Sequence, residues 1–174
     1  MEVLSELAKT ATTVDFDAIY RQELPRVYNF FRYRVGDDQI AEDLTAETFE
    51  KAWRHREKYR KDLASFSTWL FTLARRIGAD HHRRNKPTIP LDEALRVADP
   101  QVLEDVAQQR TEFARLSFLL SRLAEREREL VALKYGAGLT NRAITRISGL
   151  SESNVSTILH RVTGQLRAQW ENEP

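Results

Sequence analysis

Cations alternate with an aromatic ring in a short stretch near the middle of the chain. The sequence there reads Lys58, Tyr59, Arg60 and Lys61, with Phe66 a few residues later. Cations can contact phosphates and aromatic rings can stack on unpaired bases, so this stretch has the chemistry of a single-strand nucleic-acid site. Aromatic residues at this density belong more often to a hydrophobic core, and that alternative stays open.

The residues that follow predict an amphipathic helix with an apolar face and a basic face. Between Phe66 and Arg84 the apolar residues recur every three to four positions, as the core-facing stripe of a helix does. The apolar face holds Phe66, Trp69, Leu70, Leu73 and Ile77. The other face, here called the basic ridge, holds Thr68, Thr72, Arg75, Arg76, His82 and Arg83. No acidic residue lies among them, which favours a polyanion as the partner.

A second candidate site lies between residues 140 and 161, where the pattern predicts a helix-turn-helix. A short helix is followed by a turn at Gly149 and by a helix that Ser151 can cap. The inner arc of this last helix holds Val155, Ile158, Leu159, Val162 and Leu166. Its outer arc holds Ser153, Thr157, His160, Arg161 and Gly164, groups that suit base edges and phosphates in a major groove. A generic helical hairpin with a polar face is the alternative, and the lack of acids beyond Glu152 favours DNA.

The helix predicted before the basic stretch carries the opposite charge. Asp43, Glu47 and Glu50 are spaced at i, i+4 and i+7, so they form one acidic ridge. The far side of the helix is apolar, with Ile40, Ala41, Leu44 and Ala52, and with Phe49 and Trp53 widening the arc. An acidic ridge repels nucleic acid, so it faces either solvent or a basic protein partner. On the sequence alone, solvent is the favoured interpretation.

Nothing in the sequence supports catalysis. His81 and His82 are adjacent, and adjacent residues on a helix diverge by about 100°, so they cannot readily hold one metal ion together. No Ser/His/Asp set, glycine-rich phosphate loop or paired-carboxylate pocket is visible. We therefore expect a protein that is not an enzyme and that needs no metal or cofactor.

The elements that position these residues are helical almost throughout, because the apolar spacing has the helical period. Pro87 and Pro90 predict an extended linker, since proline disfavours helix at the preceding residue. We therefore predict an all-α protein with two small helical domains, at 15–86 and 101–170, joined by a linker at 87–100. Residues 1–14 receive no assignment. The predicted helices run from Asp15 toward Val35 with an interruption at Pro25, from Asp37 to about Tyr59, from Phe66 to Arg84, from Asp99 to about Leu123, from Ala124 to Tyr135, from Thr140 to Ser148, and from Ser151 to about Trp170.

The net charge is +1 over the whole chain, but the charge is divided by segment. Residues 37–50 carry six acids and no base, whereas residues 54–86 carry ten bases and three acids. Residues 92–129 hold nine acids and six bases, and residues 130–170 hold five bases and one acid. Two basic segments, each preceded by an acidic one, favour two polyanion-binding units with separate protein-facing surfaces. An ordinary solvated charge pattern is the alternative.

Length and composition exclude several protein classes. A chain of 174 residues forms one ordinary domain or two small ones, and 41% hydrophobic with 30% charged residues disfavours low-complexity disorder. The chain has no run of about 18 apolar residues, so no transmembrane helix is predicted. The first residues lack the basic start and apolar core of a secretory signal. The absence of cysteine excludes disulfides and zinc–thiolate sites and fits a cytoplasmic protein.

Together, these segments resemble the small, extracytoplasmic-function (ECF) type of bacterial RNA polymerase sigma factor, within the sigma-70 family. Residues 41–53 resemble the part of region two that binds core polymerase. Residues 66–84 resemble the part that melts and reads the minus-ten promoter element. Residues 120–167 resemble region four, whose helix-turn-helix reads the minus-35 element. Three such segments in the family's order, over most of the chain, make the resemblance specific.

The resemblance implies a role for each surface. Contacts with core polymerase would come from Asp43, Leu44, Glu47, Phe49 and Glu50. Contacts with minus-ten DNA would come from Lys58, Tyr59, Arg60, Lys61, Phe66, Thr72, Arg75, Arg76 and Arg83. Contacts with minus-35 DNA would come from Arg142, Ser153, Asn154, Ser156, Thr157, His160 and Arg161. The implied partners are the β′ clamp and β flap of core RNA polymerase, promoter DNA and an anti-sigma factor, with no membrane insertion.

Four positions depart from the family's usual pattern. Ala46 stands where the core-binding segment usually has Gln, and Arg76 stands where the minus-ten segment usually has Asn. Ala143 replaces a common Glu in the first helix of the helix-turn-helix, and Ile158 replaces a frequent Arg on its second helix. The minus-35 preference is the property that these departures are expected to change most.

Two other functions compete with a sigma factor on the sequence. A stand-alone helix-turn-helix regulator would bind duplex DNA without polymerase, but it has no need of the acidic ridge and the single-strand stretch. A nucleic-acid enzyme such as a recombinase needs a nucleophile and an acid–base set, and no such set is found.

Overall fold

The structure, a computed structural model, describes residues 15–85 and 103–172. In these two ranges the chain is helical and has no strand, which confirms the all-α prediction. The predicted linker at 87–100 and residues 1–14 lie outside the described residues. The helices are α1 Phe16–Val35, α2 Asp38–Arg54, α3 Phe66–Arg84, α4 Leu103–Ser121, α5 Glu125–Val131, α6 Asn141–Ser148 and α7 Glu152–Asn172, with a 3-10 turn at Arg56–Lys58 and a π turn at Ala132–Gly136.

Side-chain caps explain where the helices begin. The first backbone N–H groups of a helix have no partner within the helix, so a preceding side-chain oxygen that accepts from one of them fixes the start. Asp15, Asp37, Ser65, Thr140 and Ser151 each accept such a bond, at distances between 2.8 and 3.2 Å. Gly36 and Gly149, with φ of 72° and 75°, end α1 and α6 in the left-handed conformation that glycine adopts without strain.

Three parts of the helix prediction differ from the structure; one is the helix predicted from Ala124 to Tyr135, which ends at Val131 and continues as the π turn. Pro25 does not divide α1, which is continuous from Phe16 to Val35. The inner face of α1 buries Val27, Phe30 and Phe31, and this packing offsets the hydrogen bond that proline cannot donate. A further difference is at α2, which ends at Arg54 instead of continuing to Tyr59, because the chain tightens into a 3-10 turn.

The apolar arcs predicted from the sequence face the core, except for Trp53, which is 52% exposed. We call α1–α3 the first helix group and α4–α7 the second helix group. In the first group, Phe30, Leu70 and Phe71 are fully buried, and in the second group Ile144 and Val155 are fully buried. The buried side chains of both groups form one continuous hydrophobic cluster, so the two groups pack against each other.

The π turn Ala132–Gly136 is where the second helix group packs on α1. A Cβ atom at Gly136 would lie 2.8 Å from the carbonyl oxygen of Asn29, so only glycine allows this approach. Beside it, Arg26 Nε donates to the carbonyl oxygen of Ala137 at 2.9 Å. In both described ranges, no helix is long and apolar enough to cross a membrane.

Candidate nucleic-acid interface

The loop between α2 and α3 holds its aromatic rings in a fixed cluster. Tyr59 and Phe66 have ring centroids 5.2 Å apart, and Phe66 and Trp69 have centroids 5.3 Å apart. The Tyr59 hydroxyl donates to the carbonyl oxygen of Ala64 at 3.1 Å. Burial raises the pKa of Tyr59. Phe66 and Trp69 are half-buried, so both interpretations of these rings, core and stacking surface, remain compatible with their positions.

The cations of the same loop are not equally available. Lys58 and Lys61 are exposed. Arg60 instead forms a two-point ion pair with Asp62, with Nε–Oδ1 and Nη2–Oδ2 distances of 3.0 and 2.8 Å. This hydrogen bonding holds the pKa of the Asp62 carboxyl below its usual value and raises the pKa of Arg60. Of these three cations, the two lysines are therefore the ones that are exposed and not paired with Asp62.

The basic ridge on α3 is divided by its neighbours. Arg76 and Arg83 are exposed, and Arg83 pairs with Asp80 one turn earlier at 2.9 Å. The Thr72 hydroxyl donates to the backbone oxygen of Thr68 at 2.8 Å. Arg75 turns toward the second helix group, as described next, so the ridge does not present all its cations on one open face.

A buried charge network joins the two helix groups. The Arg34 side chain is 4% exposed, and its Nη1 donates to Oε1 of Glu129 at 3.0 Å. Arg34 also binds Glu125, with Nε donating to Oε1 at 3.1 Å. Arg75 Nε lies 3.0 Å from the same Glu129 oxygen, at ion-pair distance but outside hydrogen-bond geometry. His82 Nδ1 lies 3.4 Å from the other oxygen of Glu125.

This network was not predicted from the sequence. Its members are 91 and 95 residues apart along the chain for the two Arg34 contacts, so no helical spacing signals them. Gly78 helps to create the site, because a Cβ atom there would lie 2.8 Å from Arg34 Nη1. A cavity of about 450 Å³ opens beside the network, bounded by α3 on one side and by α5 and Leu150 on the other. One sequence signal for the network is that Arg34 follows Val27, Phe30 and Phe31 at the helical spacing of the buried face of α1.

The outer arc of α7 is exposed, as the sequence predicts. Ser153, Thr157 and His160 face solvent, while Val155 and Leu159 are buried on the inner arc. Arg142 and Asn154 are also exposed. The other two predicted contact residues, Ser156 and Arg161, form contacts with other side chains of the same chain. Ser156 Oγ accepts from Asn141 Nδ2 at 2.9 Å, and Arg161 pairs with Glu127 of α5 at 2.5 Å.

The acidic ridge on α2 lies on the surface, and the other two residues expected to contact core polymerase lie on the apolar inner arc. Asp43 and Glu50 are exposed, and Glu47 is half-exposed. Leu44 and Phe49 are 6% and 7% exposed, because they lie on the inner arc of the amphipathic helix. Their side chains therefore pack in the core and position the ridge, and they do not form its contact surface.

Ion pairs along α2 partly neutralise the ridge. Glu47 pairs with Lys51 at 2.7 Å and Glu50 pairs with Arg54 at 2.6 Å, both one turn apart. Both pairs are exposed, and exposed pairs contribute little free energy, so a protein partner can replace them at low cost. Asp43 accepts only from Gln39 among the contacts described, at 3.3 Å. In the two described ranges, no group of three potential ligands could hold a metal ion.

Two protein-family models match the chain in separate segments. The model described as Sigma-70 region 2 matches residues 19–88. This range contains α1 from its fourth residue onward and the whole of α2 and α3. The model described as Sigma-70, region 4 matches residues 119–168, from the end of α4 into α7.

Curated relatives carry matching names. The ECF RNA polymerase sigma factor BldN of Streptomyces coelicolor is 30% identical over 174 residues, covering 95% of this chain and 64% of that protein. The chain thus spans less than two thirds of that relative's length. The ECF RNA polymerase sigma factor SigM of Bacillus subtilis is 29% identical over 155 residues, covering 88% of this chain and 94% of that protein.

Two solved complexes contain a chain with the same fold. CnrH, solved with the cytosolic domain of CnrY, matches with a TM-score of 0.68 and 20% identity, over 96% of both chains. The sigma factor RpoE from Bartonella quintana, solved with the anti-sigma factor NepR, matches with a TM-score of 0.67 and 18% identity, over 92% of this chain and 99% of that chain. At these identities the likeness shows a shared fold.

Proposed function

The chain belongs to the sigma-70 family, in its extracytoplasmic-function group, and we propose that it binds core RNA polymerase and directs initiation at specific promoters. The observation that carries the proposal is the presence of both family regions in one chain and in order, at 19–88 and 119–168. Region 4 alone would suit any helix-turn-helix regulator, whereas region 2 has a use only beside polymerase. We assign region 2 to 15–86, the linker to 87–100 and region 4 to 101–170.

Docking on core polymerase is assigned to the acidic ridge of α2. Asp43, Glu47 and Glu50 are the members with exposed or half-exposed carboxylates, and a basic surface on the β′ clamp would complement them. Region 4 would contact the flap of the β subunit. Since sigma factors are not themselves enzymes, the chemistry of RNA synthesis would reside in the polymerase, and the chain would act with it in the cytoplasm.

Opening and reading of the minus-ten element are assigned to the α2–α3 loop and α3. The exposed cations Lys58, Lys61, Arg76 and Arg83 supply phosphate contacts for a displaced strand. The aromatic cluster around Phe66 supplies a stacking surface, and a base flipped out of the duplex costs a few kcal/mol that such contacts would offset.

Reading of the minus-35 element is assigned to α7. Its outer arc presents Ser153, Thr157, His160 and Arg161, with Asn154 and Arg142 nearby. Residues near the N-terminal end of such a helix meet base edges, and residues further along meet phosphates. The structure of RpoE bound to the anti-sigma factor NepR supports the proposal that an anti-sigma factor also restrains this chain.

A binding experiment with purified core polymerase tests the proposal against a stand-alone regulator. We expect the chain to co-elute with core polymerase on size exclusion and to be displaced by a second sigma factor. Sequence-selective DNA binding by the chain alone, together with no co-elution, would establish a stand-alone regulator instead.

A further inference from the structure

Four aromatic rings lie together where α1 begins and α2 ends. The rings of Phe16 and Trp53 have centroids 5.0 Å apart, and the rings of Tyr20 and Phe49 have centroids 4.7 Å apart. Phe16 and Tyr20 are one turn apart on α1, and Phe49 and Trp53 are one turn apart on α2. The two ring contacts are therefore neighbours, and we call the four rings the aromatic array.

The aromatic array is only partly covered by the described residues. Trp53 and Tyr20 are 52% and 45% exposed, whereas Phe49 is 7% exposed. Single exposed apolar side chains are ordinary on a protein surface, but a contiguous group of them indicates an interaction site. The array is therefore a candidate docking surface for an apolar segment.

The segment that precedes α1 is attached at the edge of this array. Asp15 is in an extended conformation, with φ −70° and ψ 90°, so the chain leaves the axis of α1 just before Phe16. Phe16 itself contacts the Trp53 ring. Residues 1–14 are therefore tethered beside the array, and a tethered segment has a high effective concentration at a nearby site.

The sequence of this segment suits an apolar surface. Its apolar residues recur at the spacing of an amphipathic helix, and the stripe holds Val3, Leu4, Leu7, Ala8 and Ala11. Residues 12–14 then leave a short connection before Asp15. Antiparallel helices are commonly joined by about two to five residues, so this connection is long enough for the segment to turn back along α1.

Charge also favours this pairing. The acids of the segment are Glu2 and Glu6, which are one helical turn apart. Arg56 lies over the Trp53 ring, with its guanidinium carbon 4.3 Å from the ring centroid, and it is exposed. A cation at the rim of the array attracts an acidic amphipathic segment.

We propose that residues 1–14 fold back on the chain and pack their apolar stripe on the aromatic array. The segment covers Tyr20 and Trp53 in the free chain. It also borders the acidic ridge, because Trp53 is one turn from Glu50 on α2. This intramolecular contact goes beyond the function proposed above and does not depend on it.

Hydroxyl-radical footprinting of the full-length chain, read by mass spectrometry, tests the contact without altering the array. Leu4→Asp with Leu7→Asp puts two charges on the apolar stripe. The oxidation rates of Tyr20 and Trp53 should then each rise at least threefold over the wild type, because both rings lose their cover. Tyr135, which is 52% exposed on the π turn, is the internal reference and should keep its rate.

A matched variant separates apolar contact from charge. Ser5→Asp with Thr13→Asp adds the same two charges to the opposite face of the predicted helix. This control chain should change the oxidation rates of Tyr20 and Trp53 less than twofold.

Unchanged rates at both rings in the Leu4→Asp/Leu7→Asp chain would overturn the proposal, as would an equal rise in the control chain or at Tyr135. Protection that is lost on dilution of the wild-type chain would assign the array to a second copy, and protection that appears only with added core polymerase would assign it to the polymerase. Either result would overturn the proposal. Failure of the proposed function leaves the test intact, because the footprint is measured on the free chain.

Discussion

At the residue scale, the outer arc of α7 determines what the chain can read in a duplex. Ser153 and Thr157 present small hydroxyls that can donate to or accept from a base edge, and both are exposed. Thr163 offers a comparison, because its hydroxyl donates to the backbone oxygen of Leu159 at 2.8 Å and is not free for DNA.

Replacing Ser153 or Thr157 by Ala should change which minus-35 sequences are preferred. Each lost base contact is expected to reduce discrimination by about 1–3 kcal/mol, with little loss of non-specific affinity. Selection of holoenzyme-bound DNA from a library randomised at minus-35 measures this directly, with Thr163→Ala as the control. Identical preferences for all three variants and the wild type would mean that DNA meets a different face of α7.

The cations of α3 are expected to control strand opening. Changing both Arg76 and Arg83 to Ala should reduce the amount of open complex and flatten its salt dependence, because fewer counterions are released from the DNA. Permanganate reactivity of unpaired thymines follows the opening. A change of Arg21 and Arg110 to Ala, two exposed arginines outside the ridge and outside the α2–α3 loop, provides the control. Wild-type opening in the Arg76/Arg83 variant would remove α3 from the melting step.

At the element scale, the amphipathic pattern of α2 gives the helix one face that packs in the core and one face that carries the acidic ridge. The inner arc packs Leu44 and Phe49 into the core, and the outer arc carries the acids. The sequence predicted this division of faces because it follows from helical period alone. The resemblance of residues 41–53 to the core-binding segment did not separate packing residues from contact residues, because a family motif includes both kinds.

Reversing charge on the outer arc should abolish docking without unfolding the chain. Asp43→Arg with Glu47→Arg is expected to cost less than about 0.5 kcal/mol of stability for each exposed position. Affinity for core polymerase should fall strongly, because like charges would then face each other across the interface. A competition assay against a labelled sigma factor measures this. Asp17→Arg with Glu112→Arg makes the same total charge change off the ridge and should leave the affinity unchanged; equal loss in both variants would contradict the assignment.

The helix limits show which local signals are reliable. The start of α3 at Phe66 and its end at Arg84 were predicted from the apolar period, and the structure adds a side-chain cap from Ser65 at the start. The effect of Pro25 was not predicted correctly, because burial of the α1 face outweighs a local signal. Caps and periodicity act within one turn, whereas that burial depends on the helices that pack against it.

At the scale of the whole molecule, the two helix groups share one core and a buried charge network. The sequence predicted two groups from the composition of the segments, but it gave no information on how they pack. The contacts of Arg34 join residues more than 90 positions apart, and such pairs have no local signature. The packing between the two groups therefore cannot be predicted from local sequence patterns.

Gly136→Ala should loosen this packing. The added Cβ would lie 2.8 Å from the Asn29 carbonyl oxygen, a backbone atom that cannot move away cheaply. We expect a lower midpoint of thermal unfolding and a larger radius of gyration by small-angle X-ray scattering. Gly164→Ala is the matched control, because no atom lies within 4 Å of its added Cβ and alanine is favoured by about 1 kcal/mol in a helix. An unchanged radius of gyration in Gly136→Ala would contradict the close approach of the π turn to α1.

Transcription in vitro tests whether this chain gives core RNA polymerase its promoter specificity. Core polymerase is incubated with fragmented genomic DNA from the same organism, with and without the chain, and the 5′ ends of the transcripts are mapped. We expect discrete new start sites that share sequence elements near minus-ten and minus-35. These start sites should be lost with the Asp43→Arg/Glu47→Arg variant. Transcripts that are the same with and without the chain would contradict this role.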